Sequence, residues 1–251
     1  MSPYDFGYSW PWTHGHLVPA ALFGLLALLA WRLKWRPWIA ILAGVLALWA
    51  LAAFLIVQFA FRINLPLELP AQSFLASGSG TVLDAGAGSG RSALMVLQAR
   101  PQARVVALDI FSASYIDGNS PEKLHRNTRA AGVDDRVETH TGDMRSMPFH
   151  SSSFDAAVSA YAIDHLRKDG IVKSLAEVER VIRPGGEFLL MVMNSDAWVR
   201  FAYPLMHAHI YIGHSPAADR WRSFLTEARF EIVEEGTKPA TLYFLCRKRS
   251  Q

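Results

Sequence analysis

The chain has one cysteine, Cys246, in 251 residues. That excludes an intrachain disulfide, an all-cysteine zinc site and a cysteine-ligated iron–sulfur cluster, and it fits a reducing compartment. Charge is scarce and balanced, with charged residues at 19% and a formal net charge of +3. No block of Lys and Arg marks a nucleic-acid-binding face, and the short RKRS near the end reads as a solvated tail. Internal repeats and low-complexity tracts are absent.

Two stretches lack charge altogether, Leu17–Trp31 and Trp38–Phe61. The second is long enough to cross a bilayer, which takes ~20 apolar residues; the first falls short unless the residues before it contribute. Neither has a polar face, which argues against two buried core helices. Trp10, Trp12, Trp31, Trp35 and Trp38 stand at or near their ends, as interfacial aromatics do. Lys and Arg are missing before Leu17 and no small-residue cleavage site follows, so a cleaved signal peptide is not expected. The sequence therefore predicts a membrane-associated helical hairpin over residues 1–65 and a second domain over residues 66–251. Residues from about 66 onward are expected to fold and bind ligand without the hairpin.

Arg62–Gln72, with two prolines, reads as the exit from the membrane. Beyond it strands and helices alternate. A first strand ends at Val82–Leu83 and a helix covers Ser92–Ala99, followed by a buried strand, Arg104–Ile110. A helix capped by Ser120 starts at Pro121, runs to Ala131 and stops at Gly132. Strands are predicted over Arg136–Met144 and Phe154–Tyr161, then a helix over Gly170–Ile182, an RPGG turn and a strand over Glu187–Met193. A helix near Ala217–Ala228 precedes a hairpin of FEIVEE and TLYFLCR around a Gly-Thr-Lys-Pro turn. This order predicts an α/β fold with a parallel sheet, helices on both faces and an antiparallel edge pair.

Ligands of such sheets sit beyond the carboxyl ends of the strands. Four features fall there. In TVLDAGAGSGRS, Thr81–Ser92, the dinucleotide fingerprint fails at Arg91, and no Gly-Lys-Ser/Thr follows to make a Walker loop. What remains is D-x-G-x-G-x-G, which places the Asp84 carboxylate beside the ligand, a poor host for pyrophosphate. Asp109 stands 19 residues after Gly90, about the ~20-residue offset at which an acid takes two ribose hydroxyls. Gly142-Asp143-Met144 sets an acceptor for an adenine amino group beside an apolar side chain. Tyr161–His165, YAIDH, would face a substrate. A ligand with adenine, a free ribose and a cationic tail meets all four requirements. S-adenosylmethionine is such a ligand, its sulfonium and ammonium groups suiting Asp84.

Residues from about 75 to 247 resemble a class I S-adenosylmethionine-dependent methyltransferase. VLDAGAGSG, ALDI, GDM, FDAAVSAYAIDHL and RPGGEFLL stand in that family's order and at its spacings. The resemblance implies a seven-stranded Rossmann-like sheet with a reversed last strand, here preceded by two hydrophobic membrane helices. It implies cofactor roles for Asp84, Gly86, Gly88, Asp109 and Asp143, and the expected cofactor set is completed by Ala87, Ile110, Gly142, Met144 and Ser159. The layout is closest to the branch that methylates quinone rings, sterols and phospholipids.

Tyr161, Asp164 and His165 are the catalytic candidates. Histidine suits a general base at neutral pH, while packing is the competing role for His165. His207, His209 and His214 lack a supporting carboxylate, so no metal is expected. The stretch Asn194–Ser215, with Trp198, Phe201, Tyr203, Pro204 and Tyr211, is expected to roof an acceptor pocket that Tyr115 and Tyr161 also line. That lining favours a small hydrophobic or lipid-like acceptor. The expected protein is a membrane-anchored methyltransferase with its catalytic domain at the cytoplasmic face of the cell membrane. Positive-inside logic would place the basic RLKWRP loop in the cytoplasm, and two full crossings would then export the domain. The need for cytosolic cofactor is taken to prevail. Two alternatives stand beside this reading. One is a protein methyltransferase, although SAYA occupies the place of an Asn/Asp-Pro-Pro-Tyr signature. The other is a non-catalytic membrane scaffold that retains the cofactor.

Overall fold

The computed structural model describes residues 3–112, 116–204 and 217–249. The uncharged runs form helices α2 (Leu17–Arg32) and α3 (Pro37–Leu55), preceded by the single turn α1 (Trp10–His14). Pro37 starts α3 where a missing N–H costs nothing, and one π-turn, Ile56–Ala60, continues it. Small side chains face inward here: Ala30, Ala43, Ala50 and Ala53 are buried, while Ile41, Leu48 and Phe59 are 66%, 68% and 76% exposed. Small residues thus lie between the two helices and large apolar ones face outward. By length and composition Pro37–Ala60, with 24 residues, can cross a membrane; Leu17–Arg32 is shorter.

The remainder builds one seven-stranded sheet in the order β3-β2-β1-β4-β5-β7-β6. The strands are β1 (Ser79–Ala85), β2 (Gln102–Asp109), β3 (Val137–Thr141), β4 (Phe154–Ala160), β5 (Ile182–Met193), β6 (Phe230–Lys238) and β7 (Thr241–Lys248). All pairings among β1 to β5 are parallel, and β7 runs antiparallel to both its neighbours. Helices α4 (Arg91–Ala99) and α5 (Pro121–Ala130) cover one face; α6 (Lys168–Val181) and α8 (Ala217–Glu227) cover the other. Alternation along β1 decides which side chain meets which layer. Val82 packs in the α4 layer, and Leu83 and Ala85 in the α6 layer. Between β5 and α8 lies the short helix α7 (Ala197–Ala202), capped by the Asp196 carboxylate on the N–H of Val199.

Three element boundaries differ from the sequence expectation. Strand β3 ends at Thr141: the N–H of Gly142 makes the last ladder bond, to the carbonyl of Asp109, and the chain then turns where the N–H of Ser146 donates to the carbonyl of Asp143. The RPGG turn lies inside β5 as a bulge, since Ile182 pairs with Phe154 before Glu187 pairs with Ala156. Gly185 there has φ +72°, and a Cβ on Gly186 would meet the carbonyl oxygen of Asp155 at 2.7 Å. The last hairpin turns on Pro239 and Ala240 alone, with Ala240 in the left-handed region, so Gly236–Lys238 belong to β6.

Contacts cross the expected boundary between residues 65 and 66. Phe6 is buried in the core beside Leu94 and Leu124. The N–H of Asp5 donates to Asn127 Oδ1, and Asn127 Nδ2 donates to the carbonyls of Asp5 and Ser89. Residues 4–9 are thus a strap laid across the start of α4.

Candidate functional site

At the carboxyl ends of the strands lies a cavity of about 830 Å³. It lies beside the point where the chain order reverses between β1 and β4, the position where open sheets bind ligands. The glycine loop forms its floor. The N–H groups of Gly86 and Ala87 both donate to the carbonyl of Leu108, at 2.8 and 3.1 Å, which folds the loop over β2. Gly86 and Gly88 have φ of +86° and +51°, a region that suits glycine. A Cβ on Gly86 would meet Ala162 Cβ at 2.3 Å and Met144 Cε at 2.7 Å; one on Gly88 would meet Ile116 Cδ1 at 2.6 Å. The backbone is therefore bare where it faces the cavity.

Asp109 closes this cradle. Its Oδ2 accepts from the N–H of Gly88 at 2.9 Å and its Oδ1 from the N–H of Phe111 at 2.6 Å. Asp109 Oδ1 also accepts from Asn119 Nδ2 at 3.3 Å, so the remaining acceptor site is on Oδ2, where a ribose hydroxyl can donate. Ile110 and Met144 line the cavity next to it. The cradle, the carboxylate and two flat-packing apolar side chains fit the nucleoside of S-adenosylmethionine.

Four expected cofactor residues do not face the cavity. Asp84 shares the face of β1 that lies under α4 and is fully buried. Its Oδ2 accepts from Ser92 Oγ at 2.7 Å, and Oδ1 has no protein partner. Burial pushes its carboxyl up to about 7. Asp84 supports the first turn of α4 through Ser92 and does not line the cavity. Gly142 packs on Leu108 and Pro148. Asp143 is taken by Arg145, whose Nε donates to both carboxylate oxygens at 3.0 and 2.9 Å; the guanidinium holds the Asp143 carboxyl below its ordinary range. Ser159 is buried in β4 and donates to the carbonyl of Ala85 at 2.7 Å, tying β4 to the end of β1.

The three catalytic candidates do line the cavity. Tyr161, at φ +54°, hydrogen-bonds through its hydroxyl to Thr241, and burial pushes it up to about 12. It stays protonated and shapes the wall. The Asp164 carboxylate is buried, with Oδ2 accepting from the N–H of Met193 at 2.9 Å and Oδ1 without a partner. Burial raises its carboxyl, and the neighbouring His165 opposes that shift. His165 lines the cavity and is exposed to solvent. Tyr115, His207, His209, Tyr211 and His214 lie outside the described residues, so the proposed roof is seen only through Pro204. Among the described residues no cluster of His, Cys, Asp and Glu could hold a metal.

The sequence reading missed the walls supplied by the N-terminal part. Tyr8, Ser9, Trp12, Phe61, Arg62 and Ile63 all line the cavity, as does Arg91. One signal was available. Arg91 stands first in α4, where the helix dipole disfavours a cation, so it must answer to acceptors elsewhere. A second trace is the alternation Tyr4-Phe6-Tyr8, which puts three aromatics on one side of an extended strap.

The sheet order is that of the seven-stranded Rossmann-like methyltransferase fold, with the glycine cradle and Asp109 at its switch point. Residues 82–186 match the family described as a methyltransferase domain. The chain is 24% identical over 171 residues to the biotin biosynthesis bifunctional protein BioHC of Teredinibacter turnerae, covering 65% of this chain and 29% of that protein. It is 31% identical over 110 residues to the ubiquinone/menaquinone biosynthesis C-methyltransferase UbiE of Dinoroseobacter shibae, covering 44% of this chain and 41% of that one. The chain thus spans less than half the length of these two curated relatives. Among solved structures, an S-adenosylmethionine-dependent methyltransferase from Methanosarcina mazei aligns with a TM-score of 0.57 at 20% identity, over 74% of this chain and all of that one. That likeness is one of fold.

Proposed function

We propose that the protein is a membrane-anchored methyltransferase that moves a methyl group from S-adenosylmethionine to a small hydrophobic or lipid-like acceptor, with the catalytic domain on the cytoplasmic side. The observation that carries this reading is the composition of one cavity. From the Gly86–Asp109 cradle it continues to a wall of Trp12, Phe61, Ile63 and Tyr203, contributed by the base of the apolar hairpin and the end of α7. The named activity of the quinone-biosynthesis relative supports an acceptor of the same solubility.

In this reading Asp109 holds a ribose hydroxyl, Ile110 and Met144 flank the adenine, and the bare backbone at Gly86–Gly88 admits the methionine end. S-adenosylmethionine, when bound, supplies an electrophilic methyl group. The chain's own contribution is to align the acceptor and exclude water. Tyr161 and Met191 line the middle of the cavity, and His165 takes a proton from a protic nucleophile.

The test uses full-length protein in nanodiscs with methyl-labelled S-adenosylmethionine and a total lipid extract. Label in the organic phase with release of S-adenosylhomocysteine is the expected result. Label in precipitated protein would instead establish a protein methyltransferase, and tight cofactor binding with no release a scaffold.

A further inference from the structure

We infer that the methyltransferase domain itself rests in the bilayer interface through α7, and that the cavity opens to the lipid phase along the seam between α7 and the hairpin. The inference rests on the membrane reading above and adds where the domain sits and by which door the acceptor arrives.

The first observation is the height at which α7 docks. It is fastened along the last turns of the apolar helix and not beyond its end. Trp49 Nε1 donates to the carbonyl of Phe201 at 3.1 Å, and Ala202 packs against Ala53 and Val57. His16 Nε2 donates to the carbonyl of Ala202 at 2.7 Å, and the Tyr203 hydroxyl to the carbonyl of Trp12 at 2.6 Å. The helix from Pro37 to Ala60 has 24 residues, about 36 Å at 1.5 Å per residue, against a hydrocarbon core of ~30 Å. Any placement that puts the exposed Leu48 and Phe59 in lipid carries α7 down with them.

The second observation is what α7 shows on its free side. Trp198 and Phe201 are 47% and 42% exposed, and Arg200 stands between them. Beside it α1 exposes Trp10 and Trp12, with Trp12 edge-on to Tyr203 at 5.5 Å. Four exposed aromatics with an arginine on one rim match the headgroup level, where amphipathic rings sit and a guanidinium meets phosphate.

The third observation is the cavity wall at this rim. Trp12, Phe61 and Ile63 come from the hairpin, Val199 and Tyr203 from α7 and the residue that follows it. The cavity wall along this seam is therefore largely apolar, while the carbonyl hydrogen bonds of His16, Trp49 and Tyr203 cross the same seam. An acceptor whose tail stays in the bilayer can bring its nucleophile past His165 without crossing water.

The test places an environment-sensitive nitrobenzoxadiazole label by Phe201→Cys in the full chain, in nanodiscs of phosphatidylcholine and phosphatidylglycerol holding one protein each. Cys246 is buried and serves as the unlabelled background. Glu138→Cys, on exposed β3, is the aqueous control, and retained S-adenosylmethionine binding certifies folding. Trp198→Cys repeats the measurement should Phe201→Cys misfold. Shallow doxyl-labelled lipid is expected to quench the label at 201 or 198 at least twofold more than at 138, with iodide giving the reverse order. Iodide reaching these positions as readily as 138 would overturn the seating, as would protection from both quenchers. The acceptor route has its own readout. Phe201→Asp should leave cofactor affinity unchanged and lower S-adenosylhomocysteine release at least tenfold with acceptor in bilayers, with recovery when the same extract is dispersed in detergent. Equal loss in both would overturn the doorway. Lipid quenching without turnover on any extract would remove the methyltransferase reading and leave the seating supported.

Discussion

Arg91 Nε donates to the backbone carbonyl of Leu65 at 2.8 Å, so the first residue of the cofactor-loop helix grips the chain where it leaves the apolar hairpin. The same guanidinium donates to the carbonyl of Arg62 at 2.9 Å and lies over the rings of Phe6 and Tyr8, at 5.8 and 5.6 Å. These backbone carbonyls, in the turn beyond the hairpin's last helical residue, hold the cation despite its unfavourable place at a helix start. One side chain therefore fastens strap, hairpin exit and glycine loop together. Arg91→Ala is expected to weaken S-adenosylmethionine binding by about 1.5–3 kcal/mol, the range for charged hydrogen bonds. Isothermal calorimetry checks it, and an unchanged affinity would show that the loop holds its shape without the clamp.

The strap makes a matching prediction about truncation. Sequence alone leads one to expect a cofactor-binding domain from about residue 66. The structure buries Phe6 in the core and lines the cavity with Tyr8 and Ser9. Removing residues 1–65 is expected to lower stability by at least the ~3–5 kcal/mol of a buried Phe truncation and to weaken cofactor binding in parallel. Phe6→Ala in the full chain separates the two effects, since it spares the hairpin. Denaturation midpoints and affinities identical to the full chain would return the boundary to residue 66.

Asp109 and Asp143 offer a paired comparison. Asp109 ends β2 and Asp143 follows β3, yet Asp109 faces the cavity and Asp143 is held by Arg145 at the surface. Asp109→Ala should cost on the order of 2–3 kcal/mol of cofactor binding. Asp143→Ala should cost under about 1 kcal/mol, as exposed ion pairs do. Gly88→Val should do at least as much harm as Asp109→Ala, because its Cβ would strike Ile116 at a positive φ. Equal losses for the two aspartates would put Asp143 back in the site.

The alternation of strands and helices could be read directly because each apolar run is bounded by its own turn residues. Asp109 could be read for a similar reason: its distance from the glycine loop fixes it at the end of the adjacent strand. What local pattern does not give is orientation. Asp143 has an arginine two residues away that takes it, a local fact the adenine argument passed over. Asp84 follows Leu83 on the opposite face of β1, so alternation itself put it under α4. The strap could not be read at all from local pattern. Its partners Asp117, Lys123 and Asn127 lie more than a hundred residues away, and only the folded chain brings them to Asp5 and Gly7.

His165 separates base from packing residue by a split in kinetics. It is exposed, so His165→Ala should leave stability within about 0.5 kcal/mol and cofactor affinity intact while turnover falls. Parallel loss of turnover and cofactor affinity would identify a packing role.

Asp84 yields a prediction about pH and stability. Burial is the main cause of its raised carboxyl, with the Asp109 charge adding to it and the Ser92 hydroxyl opposing it. An unfolded Asp releases its proton near pH 3.9, whereas in the folded protein Asp84 keeps it to about pH 7. Between those values the folded state binds the additional proton, so this group's contribution to stability is complete below about pH 4 and falls as pH rises towards 7. Asp84→Asn keeps the side-chain shape and a carbonyl oxygen for Ser92 but has no proton to lose. Its urea midpoint relative to the parent should therefore move upward between pH 4.5 and 7.5. A difference that is flat across that window would mean that Asp84 ionises as readily in the folded chain as in the unfolded one, and that the unpartnered Oδ1 is reached by solvent.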